Sequence, residues 1–330
     1  VGLCRALPAP INGLGDADIE AALTTGFLVN SVTTPTQTPD GVSHKVYVFT
    51  HPLLAEEIYR RMDADKQHQW QYEISHHLLQ DINDPGDDTL FDILEPLNSS
   101  FELLEGHPTD RKKLAQLNLA AGHRAKNAAS FRRGYKYVKT AIALFEDHQW
   151  TNYALNLDMH VLAAECAYLC GDQEQLNQIV RTVRERCRNP IDEARLLEIK
   201  LRYLVTANDV TAATQLGHSI LHLLNTPVAI KPNVVNITGM IAAVIFEAIS
   251  ARINKTSKRV MQDPRHRAVM RTLMLLSQSG YLAGEKRVGL YILKMIQLSL
   301  KHGVAPESAL AYPMFGALLI TFLGTIETGY

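Results

Sequence analysis

From Trp150 to Tyr168 the chain carries apolar residues on two faces of one helix. Trp150, Tyr153, Leu157, Val161, Ala164 and Tyr168 step by threes and fours, and Leu155, Leu162, Cys166 and Leu169 make a second stripe. A helix that is apolar on two sides must be covered on two sides, so this segment predicts stacked helices with neighbours above and below it. Phe131, Tyr135, Val138, Ile142 and Phe145 repeat the same stepping. From Gln67 onward no strand pattern returns, and the run Asp-Ile-Asn-Asp-Pro-Gly-Asp-Asp over residues 81–88 is a loop. Further helices are expected over residues 234–253, 263–280, 286–301 and 306–323.

Small residues recur along the helical stretch in a pattern of their own. Gly122, Gly134 and Ala141 fall where tetratricopeptide-type helix pairs keep small side chains, which lets the two helices of a hairpin approach closely. Gly171-Asp172 and Asn208-Asp209 occupy equivalent inter-helix turns about 37 residues apart, and Ala213 recurs where Gly134 stood. Leu176 is large where the pattern wants a small residue, and the spacing exceeds the usual ~34. The expected fold class is therefore mainly α, a tetratricopeptide-like helical-hairpin solenoid over residues 66–330, with an irregular helical bundle as the other reading.

Residues 1–65 have a different texture. Asp16 can cap a short helix to about Leu23, and Phe27-Leu28-Val29 and Lys45 to Phe49 read as strands around a Thr/Pro/Gly-rich loop. Pro52 then suits the first turn of a helix to about Met62. Helix, strand, loop, strand, helix is the pattern of a small winged-helix unit. The last helix sets Glu56 and Glu57 beside Arg60 and Arg61, too balanced for a major-groove reader, so nucleic acid is not an expected partner. Over the whole chain 33 Lys and Arg face 34 Asp and Glu, which gives no field that would draw nucleic acid or anionic lipid.

Chemistry is sparse. There is no phosphate loop with its Lys-Ser/Thr, no His-Glu-x-x-His, no Gly-x-Ser-x-Gly and no kinase His-Arg-Asp loop, so the expectation is a noncatalytic chain without a cofactor or metal of its own. Cys166, Cys170 and Cys187, with His160 as a fourth ligand, could in principle hold zinc; unpaired cysteines of this kind are read as small core residues instead. His76 and His77 are adjacent, point different ways on a helix and make poor co-ligands. Four cysteines are too few for a disulfide framework and fit a reducing, cytoplasmic setting. The apolar stretch over residues 311–326 contains Pro313 and two glycines and is shorter than the ~20 residues a membrane span needs, so a buried helix is expected. The start at Val1 without a Met and the close at Tyr330 in an apolar context read as the ends of a fragment.

Particular runs carry a resemblance. Val48-Phe49-Thr50-His51-Pro52 with Ala55 to Tyr59, Leu90 to Ile93 with Leu97-Asn98, residues 114–126, Trp150, Ala164-Glu165 to Asp172, and Leu298 to Gly303 with Glu307-Ser308-Ala309 are its substance. Together they resemble the region following the AAA or STAND-type ATPase core in multidomain signalling proteins. Those proteins join a serine/threonine kinase, the ATPase, tetratricopeptide-like helices, a GAF domain and a sensor histidine kinase. The resemblance covers most of residues 45–330 and is most specific over 114–172. It implies a parent chain that binds ATP or ADP with Mg, flanking ATPase and kinase domains as partners, and a protein or small-molecule effector on the helical repeats. It also implies that His51, at the start of the third winged-helix helix, senses the ADP phosphate held by the upstream core. Pro52 replaces the Asp that usually follows, and His51 as a locally packed helix-start residue is the alternative. Pro96-Leu97-Asn98 departs likewise from the family's His-Leu-Asn. LuxR-type STAND activators, soluble nucleotide cyclases and a stand-alone scaffold share parts of the layout.

Overall fold

The computed structural model describes residues 16–26, 28–30, 47–63, 90–99, 108–145, 150–229, 234–254 and 259–323. They are mainly helical, and the chain divides into two compact units, Val1–Met159 and His160–Tyr330. The expected boundary at 65/66, the 81–88 loop and the His76-His77 pair lie outside the described residues.

Unit 1 opens with α1 (Asp16–Thr24), β1 (Leu28–Asn30), β2 (Tyr47–Phe49) and α2 (Pro52–Arg61). The strands pair antiparallel with Leu28 opposite Phe49 and Asn30 opposite Tyr47; α1 packs on β1 and α2 on β2. Phe27, Lys45 and Val46 of the expected strand runs lie outside the described residues. The Thr50 hydroxyl donates to the Gly26 carbonyl at 2.8 Å, tying the end of β2 to the turn after α1.

Among its described residues unit 1 continues with α3 (Leu90–Ser99), α4 (Pro108–Asn127) and α5 (Phe131–Phe145), and it ends at Met159 within the helix that follows. Leu90, Leu94 and Leu97 present one stripe of α3 to Leu114, Leu117 and Ala121 of α4 and to Tyr137 and Leu144 of α5. Each leucine so buried contributes roughly 1.5–3 kcal/mol. A polar lock lies at the edge of that core: the Asn98 and Asn118 amides donate to each other at 2.8 and 2.7 Å, and Asn118, fully buried, also donates to the Leu114 carbonyl. Both faces of a buried amide are thereby satisfied.

The helix whose two apolar stripes were read first is α6 (Tyr153–Leu169). Leu157, Val161 and Ala164 of one stripe and Leu162 and Cys166 of the other are buried, as a covered helix requires. The stripe frays at its ends: Leu155 is only half-buried and Leu169 is exposed. Thereafter come α7 (Gln173–Arg184), α8 (Pro190–Thr206), α9 (Val210–Leu223), α10 (Val234–Asn254), α11 (Pro264–Leu282), α12 (Val288–His302) and α13 (Ser308–Leu323). In unit 2, α11 is the hub, packing on α8, α9 and α12, and α12 in turn carries α10 and α13. Pro313 sits inside α13, and among the described residues no helix is long and apolar enough to cross a membrane.

One turn design recurs between these helices. After α6, Gly171 takes φ +74°, its amide donates to the Tyr168 carbonyl, and the Asp172 amide reaches back to Ala167. After α8, Asn208 takes φ +59° with its amide on Val205, and the Asp209 amide reaches Leu204. The paired bonds and the left-handed residue satisfy the last carbonyls of each helix. Asp172 and Asp209 then cap the next helix by accepting from the Gln175 and Ala212 amides at 3.0 Å, at nearly equal backbone angles. The same carbonyl-closing turn ends α4 at Ala129-Ser130, α9 at Asn225-Thr226 and α11 at Gly284-Glu285. Asp209→Ala should lower stability by about 1 kcal/mol through loss of its cap. Chemical denaturation of the variant against the parent sequence checks this, and a midpoint unchanged within error would deny the side chain that role.

Candidate functional site

His51, the residue expected to read a nucleotide phosphate, lies exposed where β2 gives way to α2. Its Nδ1 accepts from the Leu53 amide at 3.2 Å and its carbonyl from Leu54, so it closes the first turn of α2. On the same helix Glu57 engages both arginines, Arg60 at one carboxylate oxygen and Arg61 at the other, 2.6 Å away. Leu53 and Ile58 stand beside them with 63% and 47% of their surfaces exposed.

Of the cysteines, Cys166 is buried and Cys170 and Cys187 are half-buried. The Cys187 thiol donates to the Val183 carbonyl, and burial, followed by Glu193 and Asp192, pushes its pKa up to about 11. A thiol held protonated is a poor metal ligand and nucleophile. Among the described residues no cluster of His, Cys, Asp and Glu could hold a metal ion.

Unit 2 carries an open groove of about 800 Å³ where α7 faces α8 and α9. Val180, Leu197 and Leu216 supply apolar floor, and Asn177, Arg181 and Lys200 stand along the walls. Arg184, also in the wall, is paired with Glu193 at 2.6 Å, and Asn189 caps α8 by accepting from the Ile191 and Asp192 amides. Arg181 and Lys200 have no ion-pair partner among the described residues, so the groove offers two uncommitted cations beside an amide. Asp172 and Asn189 fix where α7 and α8 begin and hence where those side chains stand.

Behind the groove, three polar ties hold α8 and α9 to α11 and α12. Glu198 of α8 is almost fully buried; its Oε1 accepts from Arg202 Nη2 at 2.5 Å and its Oε2 from Arg271 Nε of α11 at 2.7 Å. Both guanidinium groups reach partly into solvent, so only the carboxylate bears the full desolvation cost, and both of its oxygens are matched by a charged donor. His218 of α9 meets Tyr291 of α12 at 2.9 Å between Nε2 and the phenolic oxygen. Burial lowers the His218 pKa from 6.5, Arg287 adds to the effect, and Glu285 and the Val228 backbone oppose it. Burial pushes the Tyr291 hydroxyl up to about 12, so it stays protonated and suits a neutral imidazole as its acceptor. A third tie is Arg265, whose Nε donates to the Leu224 carbonyl at 2.7 Å and neutralises the C-terminal end of α9.

Sequence reasoning singled out His51 and the cysteines and missed the Glu198 and His218 ties. A signal for the first was present: Glu198 interrupts the apolar run Leu196-Leu197-Glu198-Ile199. A charge there is either an error of periodicity or a buried partner.

Comparison with family models, with curated proteins and with solved structures finds no match.

Glu198→Leu leaves Arg202 and Arg271 without their anion, and because both reach solvent the loss should be about 2 kcal/mol, below the fully buried case. Thermal unfolding measures it, and a neutral or stabilising effect would reduce the clamp to packing. For His218 the sign is fixed by its lowered pKa: the tie contributes fully above pH 6.5 and loses stability as the pH falls through the folded value. Tyr291→Phe should cost about 1 kcal/mol near neutrality. Stability measured against pH should show a smaller cost for that variant in acid, and a cost independent of pH would separate the hydrogen bond from the titration.

Proposed function

We propose that this chain is a noncatalytic sensory and coupling segment of a signal-transduction ATPase, built as a winged-helix unit followed by a tetratricopeptide-like helical-hairpin solenoid. The observation that carries this reading is the repeated turn. A left-handed residue and a capping Asp stand at Gly171-Asp172 and again at Asn208-Asp209 with matching hydrogen bonds. Recurrence of one hairpin design at a spacing of about 37 residues is what a stack of repeats requires.

Within this reading the groove between α7, α8 and α9 is where an effector binds. Apolar floor with Asn177, Arg181 and Lys200 above it suits an extended polypeptide that carries acidic side chains, since amide and cationic donors read the backbone and the carboxylates. Binding there biases the helical stack and, through it, the unit that contains His51. The winged-helix reading draws support from the antiparallel strand pair flanked by α1 and α2. The uncovered Leu53 and Ile58 beside His51 are what a helix that closes over a second domain would present. In the parent protein, ATP or ADP with Mg belongs to the upstream core, a kinase or histidine kinase supplies the output, and His51 touches the ADP phosphate through its remaining nitrogen.

The reading predicts that the purified chain neither hydrolyses ATP nor phosphorylates itself above background; measurable turnover by the chain alone overturns it. It also predicts that His51→Ala weakens ADP binding by the parent protein carrying the ATPase core. Isothermal titration with ADP decides that part, and an unchanged affinity removes His51 from the mechanism.

A further inference from the structure

Where the connector from α10 enters α11, two parts of unit 2 distant in sequence meet at the end of α12. Val260 and Val304 form an isolated parallel bridge: the Met261 amide donates to the Val304 carbonyl at 2.8 Å, and the Val304 amide donates to the Arg259 carbonyl at 2.8 Å. Gly303 makes the approach possible, at φ +98° and with the Arg259 carbonyl 2.6 Å from where a Cβ would stand. Val260 itself is exposed, so two backbone bonds and the buried Met261 hold this strap. Arg259 and Val260 are exposed while Met261 and Gly303 are buried, so the strap meets water along its first two residues.

A pair of imidazoles lies beside the strap. His266 of α11 and His302, the last residue of α12, stack with ring centroids 3.8 Å apart and planes 19° from parallel. Asp263, which caps α11 by accepting from the Arg265 amide, also lies 2.6 Å from His266 Nδ1. A charge on His266 therefore has a counterion at hand. His302 is placed differently: His266, Lys301 and Lys294 all repel a proton there, and Asp263 alone attracts one. Lys301 faces Glu247 of α10 at 3.9 Å, Lys294 donates to Gln297, and α13 adds no charged group to those acting on His302.

We propose that the His266–His302 stack and the Val260–Val304 bridge form a latch that acid opens, freeing residues 259–261 from the turn after α12. Two neutral imidazoles stack favourably, whereas two imidazolium rings at that separation repel strongly, and the two lysines add to the repulsion. Opening relieves it by letting His302 into water. Burial, first, and the neighbouring cations hold the His302 pKa below 6.5, so the open form binds a proton more tightly than the closed one. The latch is then fully closed above pH 6.5 and weakens as the pH falls towards the folded value. What it controls is the junction of α10 with α11, and so how firmly α10 stays on α12.

The test is residue-resolved amide hydrogen exchange, corrected for intrinsic rates, at about pH 7.5 and about pH 5.5. Met261 and Val304 should lose protection at the lower pH, because the open form binds a proton more tightly than the closed one. Ala213, whose amide is bonded to the Asp209 carbonyl, should keep its protection and so report that unit 2 as a whole stays folded. In His302→Phe, which keeps a flat ring in the stack and cannot titrate, protection at Met261 and Val304 should no longer depend on pH. The proposal is overturned if the two amides keep their protection in acid, or lose as much in His302→Phe as in the native chain. Should that variant not fold, imidazole titration by NMR in the native chain decides: a His302 midpoint below 6.5 supports the latch, and one at or above 6.5 refutes it.

Discussion

A carboxylate that water barely reaches sets the geometry of unit 2. Glu198 stands in the middle of α8, between Leu197 and Ile199, and a carboxylate so buried needs charged donors for both of its oxygens. Arg202 supplies one from a turn along the same helix, and Arg271 supplies the other from α11. The second contact cannot form unless α8 and α11 lie at one particular height relative to each other. Hydrophobic packing between these helices would tolerate a slide along the axis; the ion pair does not. Close packing adds to the same restriction, because a Cβ on Gly217 of α9 would come within 2.5 Å of the Leu276 side chain on α11. With α8 and α9 both fixed against α11, the wall of the groove that these two helices form is fixed as well.

The turns act one level below this. Each left-handed residue closes a helix and each capping Asp opens the next, so hairpin geometry is set locally and the long-range ties have only to arrange finished hairpins. Asp172 and Asp209 adopt almost the same backbone angles although the helices they open differ in length and sequence. That is the behaviour of a modular device, and it explains why helix boundaries here are sharp enough for the walls of a groove to be built on them.

These devices differ in how visible they are in the sequence, for physical reasons. Gly171-Asp172 and Asn208-Asp209 are legible because glycine and asparagine tolerate positive φ and aspartate is a preferred cap. Asp263 announces the start of α11 in the same way. The identical turn at Ala129-Ser130 is hidden, because alanine has no preference for the left-handed region and occupies it here only under the constraint of α4 and α5. The stripes on α6 were legible at its centre and not at Leu155 and Leu169, where periodicity continues beyond the cover that neighbours provide. Glu198 with Arg271, His218 with Tyr291 and Asn98 with Asn118 could not be paired from one sequence. The first two partnerships span 73 residues, and side-chain chemistry alone does not single out one arginine or one tyrosine among many. His51 was legible as a helix-start residue because Pro52 follows it, and its ring and carbonyl close the first turn of α2.

The two histidine sites of unit 2 then acquire a common logic. His218 and His302 are both held neutral mainly by burial, one against a tyrosine hydroxyl and the other against a second imidazole. They engage opposite ends of α12: His218 of α9 meets Tyr291 near its beginning, and the stack joins the start of α11 to its end. Protonation therefore acts on α12 at both places, at Tyr291 near its beginning and at His302 at its end, while the Glu198 clamp on α8 has no imidazole in it. Acid loosens what α12 holds, namely the grip on α9 and the approach of α10, without touching the tie between α8 and α11. A set of helices fastened by one ion pair and two titratable contacts can change the attachment of its later helices and still keep the groove of its earlier ones.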